Sequence, residues 1–216
     1  MSPRTLVLWL ALFAAAMALV EAALVIHLRH LYYPEDPLHV FPLALMRRDD
    51  VMLELARELA TVIMLGVAAR LAGTGSRWFA GFVFAFGLWD LFYYAWLKVF
   101  LGWPVTWDEW DVLFLIPWPW FGPWLTPAAI ALLFTAWGGW VLWHQVPVRW
   151  TRNRLLLFLA GCGLALAAFL APAWPLLPGG EEAFAGFTPD AFAWGLYLPG
   201  VALMAEALAL ALRRCP

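Results

Sequence analysis

Glu54, Arg57 and Glu58 fall within little more than one helical turn of an otherwise apolar run, and Asp90, Tyr94 and Lys98 repeat the i, i+4 spacing in the next such run but one break. That spacing places each set along a single helix face. Glu21 stands in a third apolar run and is followed by His27 and His30 at its end, with Tyr93 beside Tyr94 in the other. Carboxylates and tyrosines in an apolar setting can pass protons to a bound substrate. Carboxylate and imidazole donors together suit zinc, iron or manganese, which would polarise a substrate oxygen or activate water. The expected catalytic residues are therefore Glu58, Asp90, Tyr94 and Arg57. The expected metal ligands are Glu21, His27, His30, Glu54, Glu58 and Asp90. The metal reading rests on residue types, because the Glu-x-x-His of dinuclear bundles is absent and the two histidines lack the intervening Glu of a metalloprotease helix.

These charges stand out because there are so few of them. Of 216 residues, 65% are hydrophobic and 13% charged, against about 25% charged in soluble domains. Such a chain has too much apolar surface to fold in water and too many aromatics to be disordered. It reads as an integral membrane protein with the lipid bilayer as its first partner. The net charge of −2 excludes a basic nucleic-acid binder. Two cysteines, Cys162 within an apolar run and Cys215 near the end, cannot form a disulfide framework or a tetrahedral zinc site.

Six stretches are long and apolar enough to cross a ~30 Å hydrocarbon core: Thr5–Leu28, Val51–Ala72, Trp78–Leu101, Leu125–Val146, Leu155–Leu177 and Ala193–Leu212. Prolines and glycines punctuate the intervals, notably Pro34, Pro37, Pro42, Gly73, Gly75, Pro117, Pro119, Pro123, Pro147 and Pro178. The expected fold is a single all-α polytopic domain over 1–216, a bundle of about six transmembrane helices. The first stretch resembles a signal peptide in its opening, but its apolar run continues past Glu21, so a retained helix is expected. Between helices three and four, the segment Trp103–Trp124 is too broken by proline to span. It is expected to lie in the interface as a short helix and turn, with Thr106-Trp107-Asp108-Glu109 as a capping box.

Orientation follows from the basic residues outside the spans. Arg4, Arg70, Arg77, Arg149, Arg152, Arg154, Arg213 and Arg214 fall on one side, and Arg29, Arg47, Arg48 and Lys98 on the other. Both termini are expected in the cytoplasm, in a plasma or inner membrane. Glu35, Asp36, Asp49, Asp50, Asp108, Glu109, Asp111, Glu181, Glu182 and Asp190 sort to the outer side. At 1.5 Å rise per residue, Glu21 and Glu58 sit roughly 10 Å below the outer surface and Asp90 roughly 16 Å. Each such charge costs roughly 2.5–3.5 kcal/mol at mid-bilayer, so it marks a candidate functional site. Four carboxylates (Glu21, Glu54, Glu58 and Asp90) face two cations, Arg57 and Lys98, leaving acids uncompensated.

Plainer roles compete for the same residues. Glu54, Arg57 and Glu58 could form an ion pair within their helix, and Arg57 could instead serve Asp90. His27 and His30, beside Tyr32 and Tyr33, could touch headgroups. Asp111 could belong to the first turn of the capped helix or look into the cavity. Most tryptophans fit an interfacial belt, although they could also flank a flat ligand such as a quinone or a haem. His39 with His27 or His30 is the one outer histidine pair available to a haem. Glu206 stands apart in the inner half. The reading these residues favour is a membrane-embedded enzyme with an outer-facing carboxylate, His and Tyr site, metal-assisted, acting on a lipid-like or other apolar substrate. The alternatives are a non-catalytic subunit that anchors a membrane complex or holds its cofactor, and a proton- or ion-coupled carrier.

Overall fold

The computed structural model describes residues 1–212; Arg213, Arg214 and Cys215, counted above, lie outside the described residues. The chain is mostly helical. Six α-helices are present: α1 (Pro3–Tyr32), α2 (Arg48–Ala68), α3 (Ser76–Leu101), α4 (Leu125–His144), α5 (Arg152–Leu170) and α6 (Trp194–Leu212). Five of them, all but α2, are long and apolar enough to cross a membrane.

The helix ends follow local chemistry. Ser2 caps α1 by accepting from the Thr5 amide, and Thr151 does the same for α5 at Arg154. Helix α1 runs past the expected Leu28 to Tyr32, because no breaker intervenes before Pro34. Helix α3 ends at Gly102, whose φ of 84° places it in the left-handed region that closes helices. Helix α5 stops at Leu170, short of the expected Leu177, since Pro172 and Pro175 cannot donate to a continuing helix. The chain proceeds there through two 3₁₀ turns, Trp174–Gly179 and Glu181–Phe184.

Helix α3 is central and packs against α1, α4 and α2, while α5 pairs with α6. The close pairs meet at glycines. A Cβ on Gly138 of α4 would lie 2.6 Å from the Ala80 carbonyl oxygen of α3, and one on Gly161 of α5 would lie 2.7 Å from that of Gly200 in α6. Small residues at such crossings let backbones approach where lipid offers no hydrophobic drive. Gly161→Ala is therefore expected to lower the unfolding midpoint in detergent, by the ~1–3 kcal/mol typical of overpacking. Gly163 faces open space, so Gly163→Ala should raise the midpoint through helix propensity. Indole N–H groups add ties between helices: Trp96 to the Ala15 carbonyl, Trp137 to Leu208 and Trp78 to Gly66, at 2.9–3.0 Å.

At one end of the bundle the short connections meet. Arg77 bonds Gln145, the Arg149 amide bonds the Ala211 carbonyl, and Arg4 lies over Trp143. At the other end three long connections, 33–47, 102–124 and 171–193, form a cap. The expected short helix in Trp103–Trp124 is absent. Its place is taken by an antiparallel ribbon of β1 (Trp110–Val112) and β2 (Phe121–Pro123), with Asp111 opposite Gly122. Glu109 does reach back to the Val105 and Thr106 amides as a capping-box Glu would. The residues after it nevertheless turn into the ribbon, where the Leu113 amide donates to the Trp120 carbonyl and the Trp120 amide to the Phe114 carbonyl across the Pro-rich bend. Backbone bonds between Leu43 and residues Gly186 and Phe187 join the first and third connections. Phe121 then packs against Phe41, Phe184 and Phe187, one ring or more from each of the other two connections.

Candidate functional site

Beneath the cap, between α1, α2 and α3, lies a cavity of about 750 Å³, within the range of small-molecule sites. Its wall is largely apolar and aromatic, with Phe86, Trp89, Phe114, Trp118 and Trp120 among its lining residues. The ionisable groups converge on it from separate elements. Helix α1 contributes Glu21, Arg29 and Tyr32, and α2 contributes Glu54, Arg57 and Glu58. Helix α3 adds Asp90, Tyr93 and Tyr94, and β1 adds Asp111. Leu45 and Met52 also line it and are exposed, so it opens at the start of α2.

Helix α2 explains how acids can be buried there. Glu54, Glu58, Thr61 and Leu65 are its buried residues, spaced i, i+4, i+7 and i+11. The opposite face exposes Leu59, Val62, Ile63 and Val67. Its charge points inward and its apolar surface outward, the reverse of a helix packed in water. Arg57 forms ion pairs with Glu21 of α1 and, at 2.8 Å, with Glu54 one turn away. Thr61 donates to the second oxygen of Glu21 at 3.0 Å. The intrahelical pair expected for Glu54 and Arg57 is thus present, and Arg57 serves Glu21 rather than Asp90.

A second pair closes the cavity towards the cap. Arg29, fully inside the extended α1, donates to Asp111 at 3.0 Å with both side chains almost fully buried. The Arg29 guanidinium also lies 4.2 Å from the centre of the Trp103 ring, a cation–π contact. Burial pushes the Asp111 carboxyl above its usual range, with Arg29 pulling against that shift.

Two acids remain. The Leu115 amide donates to Glu58 Oε1 at 2.7 Å, whereas Glu58 Oε2 is buried without a hydrogen-bond partner. Asp90 is 9% exposed, and no described residue forms a hydrogen bond or ion pair with it. A fully buried carboxylate oxygen without a partner, such as Glu58 Oε2, is costly and therefore uncommon without a functional reason, and the unbonded Asp90 carboxyl is open to the cavity it lines. The Trp89 and Trp118 indole N–H groups in the same wall also lack partners.

Several expected residues are elsewhere. Lys98 is exposed and donates to the carbonyls of Gly102 and Pro104, closing the end of α3 rather than continuing the Asp90 and Tyr94 face into the cavity. His27 and His30 are exposed, each bonded through Nδ1 to the carbonyl four residues before it, Ala23 and Ile26. His39 pairs with Asp36, whose carboxyl it holds below the usual range. None of the three histidines lines the cavity. Among the described residues no group of three or more His, Cys, Asp and Glu side chains is placed to hold a metal ion. The ligand set drawn from Glu21, His27, His30, Glu54, Glu58 and Asp90 is therefore split, its acids inside and its histidines outside. Glu206 is on the exposed face of α6.

Comparison of the chain with family models, with curated proteins and with solved structures finds no match. The site must be read from its own chemistry. Arg29 is a member that sequence reasoning placed outside it, as an outer-loop charge, and Asp111, left there between a helix cap and the cavity, lines the cavity. A signal for Arg29 was present, since Glu21, Val25, Leu28, Arg29 and Tyr32 form one helical stripe and all line the cavity.

Proposed function

We propose that the protein is a membrane-embedded enzyme that transfers protons on a lipid-like or other apolar substrate held under the cap. The observation that carries this reading is Asp90, a buried carboxyl without a partner in the wall of an apolar cavity. In this scheme Asp90 donates a proton to the substrate and the free oxygen of Glu58 accepts one, so the pair ends with the same number of protons. Tyr94 and Tyr93 flank the donor, and Arg57 occupies Glu21 and Glu54 as ion-pair partners. General acid and base groups act in this way when they reach the reacting atoms and water is kept out. The histidines lie outside the cavity, so the metal assistance expected from composition is not part of the scheme.

Helix α2 is proposed as the sixth span. Its outward apolar face is continuous, and beyond its first turn its charges (Glu54, Arg57 and Glu58) line the cavity. The end that carries Arg4, Arg70, Arg77, Arg149, Arg152 and Arg154 is proposed to face the cytoplasm, by the positive-inside rule. The cap, including the Trp103–Trp124 segment, then lies at the outer interface. Substrate would enter from the outer leaflet past Leu45 and Met52.

The test is direct. Purified protein in nanodiscs is incubated with lipid extract from its host membrane, and products are followed by mass spectrometry. At least one species should be converted by the wild type and left unchanged by Glu58→Gln, with a loss of at least about 100-fold. If every lipid species has the same fate with wild type, with Glu58→Gln and without protein, the enzyme reading fails.

A further inference from the structure

The cavity has an uneven charge balance. Its buried members are five carboxyls, Glu21, Glu54, Glu58, Asp90 and Asp111, against the two guanidinium groups of Arg29 and Arg57. At the rim, exposed Arg48 and Glu181 offset each other. The contacts show where the imbalance lies. Arg29 is committed to Asp111, and Arg57 to Glu21 and Glu54. Glu58 keeps one buried oxygen without a partner, and Asp90 has none at all. Even with the transferable proton resting on Asp90, Glu58 has an amide bond and only the field of Arg57, a guanidinium already ion-paired with Glu21 and Glu54. Aromatic rings line the same cavity, among them Trp89, whose ring centre lies 6.3 Å from that of Phe114 and 6.5 Å from that of Tyr93. Aromatic faces and a desolvated carboxylate together recognise a cation, and most effectively one with a soft, weakly hydrated head.

From the free Oε2 of Glu58 and the unbonded Asp90 in this aromatic-lined cavity, we propose that the substrate is an amphiphile whose head carries a substituted ammonium group. The head supplies the counter-charge that the protein omits, and the hydrocarbon part occupies the apolar remainder of the cavity towards Ile130 and Phe169. This inference rests on the proposed function only in taking the cavity as the substrate site. The ammonium group has two sources with the same chemistry, a free amphiphilic amine or the headgroup of a zwitterionic phospholipid.

The test compares ligands of one chain length by calorimetric titration of the protein in a non-ionic detergent, each ligand below its micellar concentration. Octyltrimethylammonium should bind at least tenfold more tightly than 1-octanol. The Glu58→Gln/Asp90→Asn double variant should bring the two within about threefold. Octylphosphocholine separates the sources: competition with octyltrimethylammonium points to a lipid headgroup, and lack of competition points to a free amine. Equal affinity of wild type for the cation and the alcohol overturns the proposal, and that comparison needs no variant to fold. A cation preference that survives the double substitution overturns it as well, by placing the cation elsewhere. Lipid turnover without cation preference would remove this inference and leave the proposed function standing. Cation preference without turnover of any lipid would do the reverse.

Discussion

Asp90→Asn should abolish turnover while leaving the protein at least as stable as before. The amide matches the carboxyl in shape but cannot deliver a proton, so the expected loss is about 10²–10⁴-fold, the usual worth of a positioned general acid. Stability should move the other way because Asp90 has no hydrogen bond or ion pair to lose. A buried group kept at a cost to folding is the pattern of a site that trades stability for activity. The measurements are the lipid-conversion assay described above and the thermal unfolding midpoint in the same detergent. A variant that unfolds earlier and loses turnover only in proportion to the folded fraction would show Asp90 to be structural.

Arg29→Met should strongly destabilise the attachment of the cap to α1. It leaves Asp111 buried beside no cation, and breaking a buried pair from one side typically costs about 3–5 kcal/mol. The contact with Trp103 is lost at the same time, so the strand that carries Asp111 loses its anchor to α1. The double variant Arg29→Met/Asp111→Asn should recover a large part of the loss, because no charge is then left unpaired. Unfolding midpoints of the two single variants and the double variant form the cycle that isolates the pair. If the double variant is no more stable than Arg29→Met alone, the loss came from packing on Trp103 and not from Asp111.

Much of this site was legible because charge is expensive in lipid. Glu21, Glu54, Arg57, Glu58 and Asp90 could be singled out from three apolar runs, and the structure brings all five to one cavity. Periodicity also placed Glu54 and Glu58 on one face, which is the buried face of α2. The errors arose where local rules met a competing partner. Lys98 has the right spacing from Tyr94, but the carbonyls released at Gly102 and Pro104 are nearer to hand than the cavity. His27 and His30 satisfy a ring nitrogen on their own helix and need no site. Thr106-Trp107-Asp108-Glu109 forms half of a capping box, yet the helix does not follow. The pairing of residues 110–112 with 121–123 satisfies the same backbone groups through a partner more distant in sequence. Arg29 was hidden for a simpler reason: one more turn of α1 carried it from the expected loop into the interior.

The reversed polarity of α2 bears on how the chain reaches its membrane. Alone, α2 would present Glu54, Arg57 and Glu58 to hydrocarbon, and on insertion scales charged residues at a helix centre cost about 2.5–3.5 kcal/mol each. Helix α1 leaves the ribosome first and carries Glu21, the partner of Arg57. Two segments that neutralise each other enter lipid more readily as a pair than one after the other. As the proposed sixth span, α2 would be a weak membrane segment during synthesis, its integration depending on α1 beside it. In that proposal the acids that line the finished cavity would also govern the order of assembly, before any ligand is met.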